Sequence, residues 1–163
     1  MEYADRAGPA VAWFRKGYQF QRAGDIQGAI VAYQRSLALY PTAEAHTYLG
    51  WALSHAERYA DAIRACEAAI AIDPDYGNPY NDIGVYLIHL GRDAEAIPWL
   101  RKAMTAPRYE ARCYPHFNLG GILERRGQLR EALAEYRRAL ELEPGYTFAR
   151  DAEMRVSRQL GDT

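Results

Sequence analysis

The chain has 163 residues, 49% of them hydrophobic and 25% charged, with 20 Lys+Arg against 21 Asp+Glu for a formal net charge of −1. That composition suits one folded domain and excludes a disordered chain, while the near-zero charge speaks against a dedicated nucleic-acid binder. No apolar run approaches the ~18 residues of a membrane span, and Met1-Glu2-Tyr3-Ala4-Asp5-Arg6 leads into no apolar leader segment. The two cysteines, Cys66 and Cys113, stand far apart in no paired motif, so neither a disulfide framework nor a zinc site is expected. A reducing cytoplasm is the expected location. The bias of 18 Arg to 2 Lys would suit a GC-rich bacterial genome.

Residues 1–9 read as an N-terminal extension, and from residue 10 the sequence repeats itself. In the first copy, 10–42, Trp13, Gly17 and Phe20 recur at helical spacing, and so do Ala29, Tyr33, Ser36 and Leu37. Between them Ala23-Gly24-Asp25 supplies a left-handed turn residue and a helix cap, and Pro41 closes the copy. The second copy, 43–76, carries His46, Gly50, Leu53, Ala62, Cys66 and Ala69 in the same register. Its joint, Ala56-Glu57-Arg58, has no glycine and is expected to close less well. The third copy, 77–112, repeats the pattern with Tyr80, Gly84, Leu87, Ala96, Leu100 and Ala103. It is two residues longer, with the surplus in Pro107-Arg108-Tyr109-Glu110-Ala111-Arg112, and Pro98 predicts a kink or a shortened ladder in its second helix. The fourth copy, 113–144, holds His116, Gly120, Leu123, Ala132, Tyr136 and Ala139. Residues 145–163 predict a capping helix, Tyr146 to Leu160, and a tail. Asp151 and Arg155 there occupy places that a fifth copy would need apolar.

Two landmarks keep one beat throughout. Gly17, Gly50, Gly84 and Gly120 are separated by 33, 34 and 36 residues, and Ala29, Ala62, Ala96 and Ala132 by the same three intervals. The set Trp13, Gly17, Phe20, Ala29, Tyr33 and Pro41 resembles the tetratricopeptide repeat of roughly 34 residues. The resemblance covers about residues 10 to 144. Lys16, where a leucine is usual, and Trp51, just after the glycine, depart from it.

The resemblance implies an all-α, right-handed α-solenoid of antiparallel helix pairs whose first helices line a concave groove. It implies a non-enzymatic scaffold with a protein or peptide partner, no nucleic acid and no membrane. Transferred by position, the groove takes Phe14, Arg15, Tyr18 and Arg22 from the first copy and Tyr48, Trp51 and His55 from the second. The third gives Asn78, Asn81, Asp82 and His89; the fourth gives Tyr114, Phe117, Asn118 and Arg125. Its aromatics bury large area at low entropy cost, as binding anchors do, unless they fill gaps between neighbouring first helices. The asparagines offer a donor and an acceptor each to a peptide backbone, and the arginines offer charge-assisted bonds. Chaperone-tail binders of this family clamp a terminal carboxylate with lysine and asparagine. Here those positions carry Phe14, Tyr18 and Tyr48, so that clamp is not expected.

No phosphate loop, nucleophile elbow or metal-spaced cluster occurs, so no enzyme activity, cofactor or metal is expected. His55 and His89 share one groove register but lack a third ligand. His46 and His116 take the packing slot of Trp13 and Tyr80. Cys66 sits in an apolar slot and should be inert, while Cys113 opens a helix. The alternative function is a self-assembling component of a larger complex. Residues 1–100 hold 8 basic and 12 acidic groups and residues 101–163 hold 12 and 9, so unlike ends could associate head to tail as a homo-oligomer.

Overall fold

The computed structural model describes residues 6–161. Residues 1–5 of the expected extension and 162–163 of the expected tail lie outside the described residues. Among the described residues there are nine helices: α1 (Ala7–Arg22), α2 (Ile26–Leu39), α3 (Ala43–His55), α4 (Tyr59–Ile72), α5 (Asn78–His89), α6 (Asp93–Thr105), α7 (Cys113–Arg125), α8 (Leu129–Leu142) and α9 (Thr147–Leu160). Each packs on its neighbours in the chain, giving an all-α solenoid of four helix pairs with α9 laid on α8. The first helix begins at Ala7, inside the stretch read as an extension.

The two sequence landmarks are the two sides of one contact. The glycine of each first helix faces the residue four places after the alanine of its partner helix. A Cβ on Gly17 would stand 2.7 Å from the Tyr33 ring, on Gly50 2.9 Å from Cys66 Sγ, on Gly84 2.5 Å from Leu100 Cδ2, and on Gly120 2.6 Å from Tyr136. Those four side chains are buried, as are all four alanines. Bare backbone on one helix therefore receives a buried side chain from the other, which lets the two helices of each pair approach closely. One continuous core joins the first three pairs and takes in Leu119 and Ile122 of α7.

Capping follows local chemistry. The Asp25 carboxylate accepts from the Gly28 N–H at 2.8 Å, and the Thr42 hydroxyl oxygen accepts from the Ala45 N–H at 3.1 Å, each satisfying a donor that the first turn leaves free. The turns inside the first, third and fourth pairs place Gly24, Gly91 and Gly127 at φ of +81°, +71° and +73°. In the second pair Glu57 takes that role at φ +57°, a conformation that crowds a Cβ. The joint closes like the others and carries the strain. Glu57→Gly is therefore expected to stabilise the chain by about 0.5–1 kcal/mol, read as a higher urea midpoint at unchanged slope.

Pro98 lies inside α6, which runs unbroken across it, so the missing donor costs one ladder bond and not the helix. On α9, Ala149, Ala152 and Val156 are buried, while Asp151 is exposed and Arg155 reaches Glu124 Oε2 at 2.8 Å. This is a cap with one apolar and one charged face.

The surplus of the third copy is not a slack loop. Residues 106–112 fold back onto the α4–α5 connection, where the Arg108 N–H donates to Asp75 O at 3.0 Å and the Gly77 N–H donates to Arg108 O at 3.1 Å. The Arg108 guanidinium lies 4.6 Å above the Tyr76 ring and pairs with Glu44 at 3.1 Å and with Asp73. Tyr109 is buried against Gly77 and Ala106.

Candidate functional site

First helices from all four pairs converge on one pocket of about 360 Å³. Tyr18 comes from α1, Tyr48 and Trp51 from α3, Asn78, Asn81 and Asp82 from α5, and Tyr114 from α7. Gln21 of α1, Thr47 of α3, Tyr76 and the folded-back Tyr109 and Ala111 supply the rest of the wall. Seven of the groove residues named from sequence thus meet at one place. Sequence reasoning missed Tyr76 and Tyr109; the one signal available was the extra length around Tyr109.

A second pocket, about 400 Å³, adjoins the first and shares Trp51 and Asp82 with it. His55 and His89 line it, beside Tyr59 and Tyr86. The His55 ring lies 3.7 Å from Trp51, and His89 stacks on Tyr59 at 4.9 Å with planes 6° apart. Among the described residues no group of three His, Cys, Asp or Glu is placed to hold a metal ion. A third pocket, about 430 Å³, is lined by Phe117, Asn118 and Arg125 with Glu124 and Arg155.

Several groove side chains already have partners inside the chain. Phe14 is half-buried, 5.1 Å from Tyr48 edge-on and 5.6 Å from Tyr33, so it fills the space between first helices. Phe117 sits 5.1 Å from Tyr146 and 5.8 Å from Tyr136. Asn118 Nδ2 donates to Asn81 Oδ1 at 3.1 Å, tying α7 to α5. Arg125 donates twice to Asp93 Oδ2, at 2.8 and 2.9 Å. Arg15 and Arg22 stand exposed on α1.

Burial dominates the electrostatics. It pushes the Asp82 carboxyl up to about 7, against the opposing pull of a hydrogen bond from the Asn81 side chain. Burial, followed by the charge of Glu44, pushes the Tyr76 phenol up to about 12. Burial first, and the Asp82 charge second, raise Tyr86 and Tyr109 above the ordinary phenol range. In the third pocket, hydrogen bonding by the Arg155 guanidinium holds the Glu124 carboxyl below its ordinary value. His46, half-buried on α3, has its imidazole pulled down by desolvation.

Family models of the tetratricopeptide repeat match residues 14–77, 80–106 and 113–146. The chain belongs to the tetratricopeptide-repeat family. Its likeness to individual members is of repeats rather than whole proteins. It is 29% identical over 145 residues to Sperm-associated antigen 1 of Mus musculus, 89% of this chain and 12% of that protein, and so spans about an eighth of that relative's length. In fold, this tetratricopeptide array is similar to Pseudomonas aeruginosa PilF, with a TM-score of 0.89 and 20% identity over 97% of this chain and 72% of the other. It is also similar to YrrB, a TPR protein with an unusual peptide-binding site, with a TM-score of 0.69 and 20% identity over 99% and 85% of the two chains. No helix among the described residues is long and apolar enough to cross a membrane.

Proposed function

We propose that this tetratricopeptide array is a non-enzymatic scaffold that receives a peptide segment of a partner protein in its concave pocket. The observation that carries the reading is the convergence of α1, α3, α5 and α7 on one pocket walled by tyrosines and Trp51. Rings fixed by packing present area to a ligand with little entropy left to lose. Tyr114 is 45% exposed and Trp51 is half-buried, so both offer a face to a visitor. The peptide-binding site of the similarly folded YrrB supports the same reading. A reducing cytoplasm remains the proposed setting, supported by two free, separated cysteines.

Trp51→Ala combined with Tyr114→Ala tests this reading. Selection from a displayed random-peptide library on the full chain is expected to yield ligands that the double variant binds at least tenfold more weakly, with helicity unchanged by circular dichroism. Equal retention by both proteins would overturn it.

A further inference from the structure

Asp82 is the odd residue in the pocket. It lines both adjoining pockets, and no arginine or lysine lines either. Among the described residues no ion pair reaches it, and its one stabilising interaction is with the neutral Asn81 side chain. The Arg108 guanidinium, stacked on the Tyr76 ring, is committed to Glu44 and Asp73. Tyr86, which lines the second pocket with Asp82, has a buried hydroxyl and adds no positive charge. Half-buried carboxylates are retained without a counter-ion only at a cost, and burial here holds this one partly protonated near neutrality. Tyr48, Trp51, Tyr76, Tyr109 and Tyr114 line the same pocket.

We propose that the pocket around Asp82 recognises a basic side chain, arginine foremost, of the partner segment. This rests on the scaffold reading above and names the chemistry of the anchor. A guanidinium is planar, carries five donors and stacks on aromatic rings, so the ring walls take its faces while the carboxylate takes its edge. Asn78 lines the same pocket, and an asparagine side chain carries a carbonyl that can act as a further acceptor. The chain already displays this contact in its own hands, because Arg108 lies on Tyr76 and Arg35 on Trp13, at 4.6 and 4.5 Å from the ring centres. The pocket's size of about 360 Å³ falls within the ~300–1,000 Å³ of small-ligand sites. A bound cation would supply the counter-charge that the fold withholds, and Asp82 would then hold its charge at neutral pH.

The probes are Nα-acetyl-arginine N-methylamide and its citrulline counterpart, which keeps the shape and loses the charge. Titrated into the full chain at pH 7.5 and followed by NMR, the arginine compound is expected to shift the Trp51 indole N–H with at least tenfold higher affinity than citrulline. Asp82→Asn is expected to remove that preference while leaving the remaining spectrum and the helicity in place. Equal affinities for the two compounds, or an arginine preference that survives Asp82→Asn, would overturn the proposal. The displayed library separates this failure from that of the scaffold reading. Selected ligands that depend on Trp51 and Tyr114 yet carry no basic residue remove the basic anchor and leave the scaffold standing. Enrichment of arginine, lost on Asp82→Asn, supports both. An empty selection removes both.

Discussion

Replacing Gly77 by alanine is expected to cost about 3 kcal/mol, the upper part of the range for overpacking. Gly77 sits just before α5 at φ −79°, where any residue is comfortable, so the backbone raises no objection. Space does. The new methyl group would overlap Tyr109 Cβ, lie 2.5 Å from Tyr109 Cγ and press on Ala106 Cβ at 3.0 Å. Tyr109 Cβ and Ala106 Cβ are fixed to the backbone, so no change of rotamer clears them. The 106–112 segment would have to lift away, breaking the two backbone hydrogen bonds it shares with Asp75 and Gly77. Urea unfolding reads the cost, and a Tyr109→Gly background checks its origin. In that background the same substitution is expected to cost under about 1 kcal/mol, a coupling that two independent sites would not show. An undiminished loss would place the clash elsewhere.

Asp82→Asn is expected to stabilise the free chain by about 2 kcal/mol at pH 8 and to change it little at pH 4. The folded carboxyl is pushed up to about 7 from an ordinary 3.8. Well below pH 4 both states keep the proton, and at pH 4 the unfolded group is only about half ionised, so aspartic acid and asparagine still differ little. Between pH 4 and 7 the unfolded chain ionises freely while the folded chain resists, and stability is lost until the folded group has titrated. Above about 7 the deficit is constant. The displacement from 3.8 to about 7 sets a ceiling of about 4 kcal/mol, reduced because the pocket admits water. The quantity to measure is the difference between the two proteins across pH, since other carboxylates titrate in both. A difference that is flat with pH would show that Asp82 is solvated like a surface acid. A substitution that strengthens the fold while removing the basic anchor is what a binding residue held against stability predicts.

The fold was legible because its regularity is local and repeated. Each glycine and the bulky residue that fills its place stand 16 residues apart in every copy, as in Gly17 and Tyr33 or Gly120 and Tyr136, and that beat survives substitution of everything else. The Glu57 turn was only half legible: the missing glycine was visible, but the joint's ability to hold glutamate at positive φ depends on the rest of the pair closing around it. The groove was legible in register and illegible in use. Asn81 stands three residues before Gly84 and Asn118 two before Gly120, so they are neighbouring rather than equivalent places of adjacent copies, and that one donates to the other is set by the separation of α5 and α7. Arg125 read as a free cation, and its partner Asp93 stands 32 residues away. Tyr109 fell in an insertion, where the repeat gives no register, and its place in the pocket follows from a backbone pairing with residues 75 and 77 that no periodicity announces.

An array whose units touch only their neighbours behaves mechanically as a spring, bending a little at every joint. The fold-back of residues 106–112 ties one of those joints, the one between the second and third units. Arg108 ties itself to Glu44, 64 positions earlier, and to Asp73, so a single side chain spans from the third unit to the start of the second. Opening the joint between the second and third units therefore has to break those ion pairs and the two backbone hydrogen bonds beside them, a tie that the other joints among the described residues do not share.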